Sequence, residues 1–97
     1  MPTYIILMNI TDQGIKNVKD APGRIEEGIK AFEKMGGKVI GFYATMGKYD
    51  YVAIGEAPND EAAMTFLLGL GSRGNSRSTT LKAFTKQEFT AIVKKLA

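Results

Sequence analysis

Gly47-Lys48-Tyr49-Asp50-Tyr51-Val52-Ala53-Ile54-Gly55-Glu56-Ala57-Pro58-Asn59-Asp60 puts a tight turn, an apolar strand and a helix start in one unbroken run. Gly47 can supply the positive φ of a hairpin turn. Asp50 to Ala57 then reads as a strand, and after Pro58 either Asn59 or Asp60 caps a helix. Lys38 to Thr45 is the first strand of the hairpin, with Met46-Gly47-Lys48-Tyr49 as its turn. Its register stays open at this level. A two-residue turn at Gly47-Lys48 puts Tyr43 and Val52 on one face, whereas one extra residue shifts the pairing and reverses the faces.

Working outward, Thr3 to Ile10 is a strand rich in Ile, Leu and Met that reads as buried on both faces, ended by Asn9 and Thr11-Asp12. From about Ala21 the apolar spacing becomes Ile25, Ile29, Phe32 and Met35, a helical stripe with Pro22 in the first turn and Gly36-Gly37 as its stop. Ile15 and Val18 extend it backwards across a break near Pro22. The helix after Pro58 carries Ala63, Phe66, Leu67 and Leu70, and Asn75 to Phe84 is a fourth strand. Thr85-Lys86-Gln87-Glu88 is a capping box for a last helix with Phe89, Ile92, Val93 and Leu96 inward.

The order βαββαβ plus a C-terminal helix is the split βαβ, ferredoxin-like arrangement of the α+β class. It implies a four-stranded antiparallel sheet with two helices on one face, and residues 1–97 form one domain. In the first strand Tyr4, Ile6 and Met8 alternate with Ile5 and Leu7, so both faces of the central sheet need cover, yet the two main helices supply one side only. Another subunit's sheet, the last helix or a ligand must close the other.

The chain has no cysteine and no histidine. That excludes disulfides, thiolate nucleophiles and cysteine metal clusters, the usual near-neutral general base and the commonest metal ligand. The net charge of +3 comes from lysines and arginines interspersed with acids, as on a solvated helix surface. No apolar run approaches the length of a membrane span, and Met1-Pro2-Thr3-Tyr4 lacks a basic leader. A soluble cytoplasmic protein with no membrane or nucleic-acid partner is expected. Met8, Met46 and Met64 are spaced as core or interface fillers, so neither a metal nor a cofactor is expected.

Gly69-Leu70-Gly71-Ser72-Arg73-Gly74 matches G-x-G-x-x-G, but it follows a helical run and leads into a strand, the reverse of the dinucleotide-binding context. Glycines at a helix C-terminus account for it better. Ser72, Arg73, Asn75 and Arg77 nonetheless offer donors to an anion. The same element order occurs in RNA-recognition domains, and Tyr49-Asp50-Tyr51-Val52 weakly resembles their third-strand signature. Asp50 adds an anion beside the would-be stacking surface, and Ile6 replaces the first-strand aromatic.

Tyr49 and Asp50 form the most site-like pair, with Tyr43 and Tyr51 as potential neighbours. Asp50 can act as a base or ligand acceptor and Tyr49 as a proton donor or stacking surface; alternatively Asp50 binds turn amides and Tyr49 packs on a partner. Lys82 on the fourth strand either guards an edge or projects into a pocket.

Gly47-Lys48-Tyr49-Asp50, Glu56-Ala57-Pro58-Asn59-Asp60 and Gly74-Asn75-Ser76-Arg77-Ser78-Thr79-Thr80-Leu81-Lys82-Ala83-Phe84 resemble the GYD domain family, nearly end to end. The resemblance implies a dimeric α/β barrel, in which two ferredoxin-like sheets pack face to face. Relatives of that architecture include cofactor-free monooxygenases, isomerases, haem-degrading enzymes and amino-acid-sensing domains. The resemblance carries Tyr49, Asp50 and Arg77 over as site residues, while Ser76 and Ser78 depart from the family pattern. A haem enzyme of that group uses a histidine ligand, which this chain lacks.

Two functions follow. One is a homodimeric or larger module that binds a small organic or anionic ligand between its sheets without catalysis, drawing on Tyr43, Tyr51, Arg73, Arg77 and Lys82. The other is a cofactor-free enzyme acting by proton transfer or oxidation on a small aromatic or carbonyl compound. It would use Asp50 as base, with Tyr49 and Arg77 as polarising groups.

Overall fold

β1 (Thr3–Ile10) sits at the centre of a sheet ordered β2-β3-β1-β4, flanked on both sides by antiparallel partners in the computed structural model, which describes residues 1–96. Alternation along β1 decides its burial: Tyr4, Ile6 and Met8 are buried, whereas Ile5 and Leu7 are only half-buried. One face is therefore the core side and the other is open, not sealed on both sides as the apolar run suggests.

Thr11 caps a short α1 (Asp12–Lys16) by accepting the Gly14 N–H, and a 3-10 turn at Val18–Asp20 leads into α2 (Ala21–Lys34). The break expected near Pro22 falls earlier, at Asn17. Pro22 belongs to the first turn of α2, where its missing N–H is no loss. Gly14 is fixed by close packing: a Cβ there would run into the Asn75 carbonyl. At the other end of α2, Gly36 takes φ +98° and stops the helix.

β2 (Lys38–Ala44) and β3 (Tyr51–Glu56) form the hairpin, with Tyr43 opposite Val52 and Ala44 opposite Tyr51. That is the two-residue-turn register, with Gly47 at φ +106°. A register shift between Val39 and Gly41 leaves Ile40 as a bulge, which lets both Val39 and Phe42 reach the core despite their odd spacing. Asn59, not Asp60, caps α3 (Asp60–Ser72), its side-chain oxygen accepting the Ala62 N–H at 2.8 Å.

α2 and α3 cover the Tyr4, Ile6 and Met8 side, where Phe32 and Phe66 meet edge-on at 5.0 Å between ring centres. Residues directly opposite across strands share a face. The open side therefore carries Ile5 and Leu7 of β1, Val52 and Ile54 of β3, Tyr43 of β2 and Leu81 of β4 (Ser76–Ala83).

α4 (Lys86–Val93) has the expected capping box: Thr85 accepts the Glu88 N–H and Glu88 accepts the Thr85 N–H. Its apolar stripe, however, does not face inward. Every residue of α4 is exposed, Phe89 at 60% and Leu96 beyond it at 75%. The molecule is correspondingly elongated, 53 × 30 × 18 Å. Capping and periodicity build the helix, but its stripe packs on neither the core nor the open face of the sheet.

Candidate functional site

The hairpin tip is stitched to the end of β1. Asp50 donates its N–H to the Met8 carbonyl at 2.9 Å and accepts the Ile10 N–H on its carboxylate at 2.7 Å. Asn9 donates its side-chain amide to the Lys48 carbonyl at 2.6 Å. Tyr49 accepts the Thr45 hydroxyl on its backbone carbonyl, and its ring lies 5.7 Å from the Lys48 ammonium. Arg77 pairs in register with Asn9 and is exposed on the open face at this same end of the sheet.

The three tyrosines do not converge. Tyr51 points to the helix side and packs on Phe42 at 5.4 Å between ring centres, whereas Tyr43 lies on the open face, 59% exposed. Arg73 ends α3 on the helix side, away from Arg77. Gly69 and Gly71 lie within the last turns of α3, and Gly74 at φ +81° turns the chain into β4. The glycine-rich run is thus a helix terminus and not a phosphate loop.

Lys82 stands near the far end of edge strand β4, opposite Tyr4 and on the helix side. Its ammonium lies 3.1 Å from the Asp60 carboxylate, which also accepts the Tyr4 phenol proton. Burial, chiefly, pushes the Tyr4 phenol up to about 12, and the hydrogen bond to Asp60 and its negative charge add to this. Asp60 is held below its ordinary value, first by the Tyr4 hydrogen bond and then by Lys82. Tyr4 keeps its proton at neutral pH, and the trio fastens α3 to β1 and β4. Sequence reading missed Tyr4 and Asp60 as partners because their link crosses two strands and a helix start.

A further space opens between α2, α3 and the covered side of the sheet, with Arg24 and Arg73 on its lining. Arg24 drew no notice in the sequence, where it reads as one more charge on a solvated helix. Among the described residues no group of acidic side chains is placed to hold a metal ion, and no helix is long and apolar enough to cross a membrane.

Residues 4–93 match the GYD domain family. The chain belongs to that family. It is also similar, at 35% identity over 95 residues, to a Thermus thermophilus protein named glutamine synthetase and cystathionine beta-lyase binding protein, covering 97% of this chain and 100% of that relative. Within this GYD domain, Gly47 makes the turn, Tyr49 supplies its carbonyl to the Thr45 hydroxyl, and Asp50 ties the turn to β1. The residues of the family's namesake motif thus hold the hairpin in place.

Proposed function

We propose that this GYD domain is a non-catalytic binding module that associates with a second copy through the open face of its sheet and docks on a metabolic enzyme. The observation that carries this reading is the open face itself. Ile5, Leu7, Val52 and Ile54 form an apolar patch with Tyr43 and the 48%-exposed Leu81, and α2 and α3 pack only on the other side. A contiguous apolar patch of this kind marks an association surface.

The name of the Thermus relative supports enzyme docking. α4 suits that task, since its stripe of Phe89, Ile92 and Val93 is free, with Lys86, Lys94 and Lys95 at its ends. An amphipathic helix with basic flanks fits an apolar groove with an acidic rim. The engagement of the Asp50 carboxylate by Ile10, with no histidine or cysteine in the chain, supports the absence of catalysis. A small organic or anionic ligand held between two facing sheets would meet Tyr43 and Arg77.

The test is binding of the full chain to glutamine synthetase and to cystathionine beta-lyase from its own organism, followed by biolayer interferometry. Saturable binding that Ile92→Glu abolishes without changing the oligomer is expected. Absence of binding to both enzymes overturns the docking role.

A further inference from the structure

α2 and α3 leave a cavity of about 120 Å³ between themselves and the covered side of the sheet. Its walls are apolar: Met8 and Ala53 from the sheet, Ile25 and Ile29 from α2, Phe66 and Leu70 from α3. The charged residues on its lining are Arg24 and Arg73, and no acidic residue lines it. Topology puts both arginines at the end where Ile10 pairs with Ser76, because α2 begins and α3 finishes there. Arg24 donates one hydrogen bond to the Asn17 carbonyl at 3.0 Å, and neither arginine has an acidic partner among the described residues.

A second observation concerns Gly28, which lies between Ile25 and Ile29 on the inner side of α2. A Cβ added there meets no atom within 4 Å. Glycine is the poorest helix former after proline, so its use in the middle of α2 keeps the space over it open at a cost to the helix.

We propose that this cavity binds a small carboxylate with a compact apolar body, an aromatic or branched aliphatic acid. An apolar cavity of about 150 Å³ accepts benzene, so this one holds a body of roughly six non-hydrogen atoms. The body packs between Ile25, Ile29 and Phe66. The carboxylate emerges toward Arg24 and Arg73, whose planar donor forks match its two oxygens. A phosphate ester of a sugar meets the same arginines but leaves its hydroxyls unpaired against the apolar walls. The site lies on the helix side of the sheet, opposite the open face that Ile5 and Leu7 line.

The experiment is a ¹H–¹⁵N titration of the full chain with phenylacetate, with phenylacetamide as the neutral isostere and with inorganic phosphate. Saturable shifts centred on Ile25, Ala53 and Phe66 are expected with phenylacetate. The amide is expected to bind about tenfold or more weakly, the worth of one charge-assisted contact. Arg73→Gln is expected to lower affinity for the acid about tenfold and leave the amide unchanged. Gly28→Leu is expected to remove binding of both while the melting temperature holds or rises. If that variant fails to fold, Ala53→Leu, which fills the space from the sheet side, is read in its place. Equal affinity for acid and amide, unchanged binding in Arg73→Gln, tighter binding of phosphate alone, shifts confined to the open face, or no saturable shift each overturns the proposal.

Discussion

The Asp50 carboxylate accepts the Ile10 backbone N–H at 2.7 Å, across 40 positions of sequence, and so joins the tip of the β2–β3 hairpin to the last residue of β1. An amide can replace the carboxylate as acceptor but forms the weaker, uncharged bond. Asp50→Asn is therefore expected to lose about 0.5–1.5 kcal/mol of stability and Asp50→Ala about 1–3 kcal/mol. Urea unfolding of both variants checks this. An Asn variant more stable than the parent that had also lost its binding partner would mark Asp50 as a functional group and not a fastener.

The Tyr4 phenol, raised from 10.0 to about 12, makes alkaline stability depend on one buried proton. Below pH 10 the phenol is neutral in both the folded and the unfolded chain, and its contribution is fully present. Between pH 10 and about 12 the unfolded chain releases the proton while the folded chain keeps it, so stability falls. Tyr4→Phe is expected to cost about 1 kcal/mol at pH 7 through the lost bond to Asp60. That deficit is expected to shrink through the alkaline window, as followed by denaturant melts at a series of pH values. A constant deficit from pH 7 to 12 contradicts the assignment.

The element order was legible in the sequence because each element carries its own local signal. The α2 stripe ends at Gly36, Thr85 and Glu88 box the start of α4, and β1 alternates Tyr4, Ile6 and Met8 against Ile5 and Leu7. Relations between distant elements were not. Both hairpin registers put aromatic and apolar residues on each face, so only the strand pairing shows that Tyr43 and Tyr51 part company. The Tyr4–Asp60–Lys82 trio requires the β1–β4 register, and the inner cavity requires the spacing of two helices over a sheet. The α4 stripe was readable as a stripe, but periodicity does not say which molecule it faces.

Thr85→Ala removes one half of the capping box on a helix that packs on neither the core nor the open face of the sheet. A lost cap of this kind costs about 0.5–2 kcal/mol, and here the loss is local. Hydrogen exchange is expected to quicken across Glu88 to Val93 while the global melting temperature barely moves. A large fall in global stability means that α4 is already packed in solution, against a second copy or its own sheet.

RNA is expected to bind weakly if at all. A base-stacking platform needs aromatics on the open faces of β1 and β3, but Ile5, Leu7, Val52 and Ile54 stand there, and Tyr51 faces the helices. Fluorescence titration with mixed single strands at physiological salt reads this directly. Micromolar binding that falls on Tyr43→Ala or Tyr49→Ala makes the domain an RNA binder.

Leu81 gives the most direct handle on self-association. It pairs with Ile5 on edge strand β4, so it lies within the apolar patch while remaining 48% exposed in the single chain. A charge there costs the isolated fold little, since half the side chain already meets water, but it would be buried unpaired between two facing sheets. Light scattering is expected to give a dimer or larger assembly for the parent chain and a monomer for Leu81→Glu at the same micromolar concentration. Mass action adds a second reading: the parent's melting temperature is expected to rise with protein concentration, and that of the variant to stay flat. A monomeric parent whose melting temperature ignores concentration removes the face-to-face assembly and leaves the open sheet to a different partner.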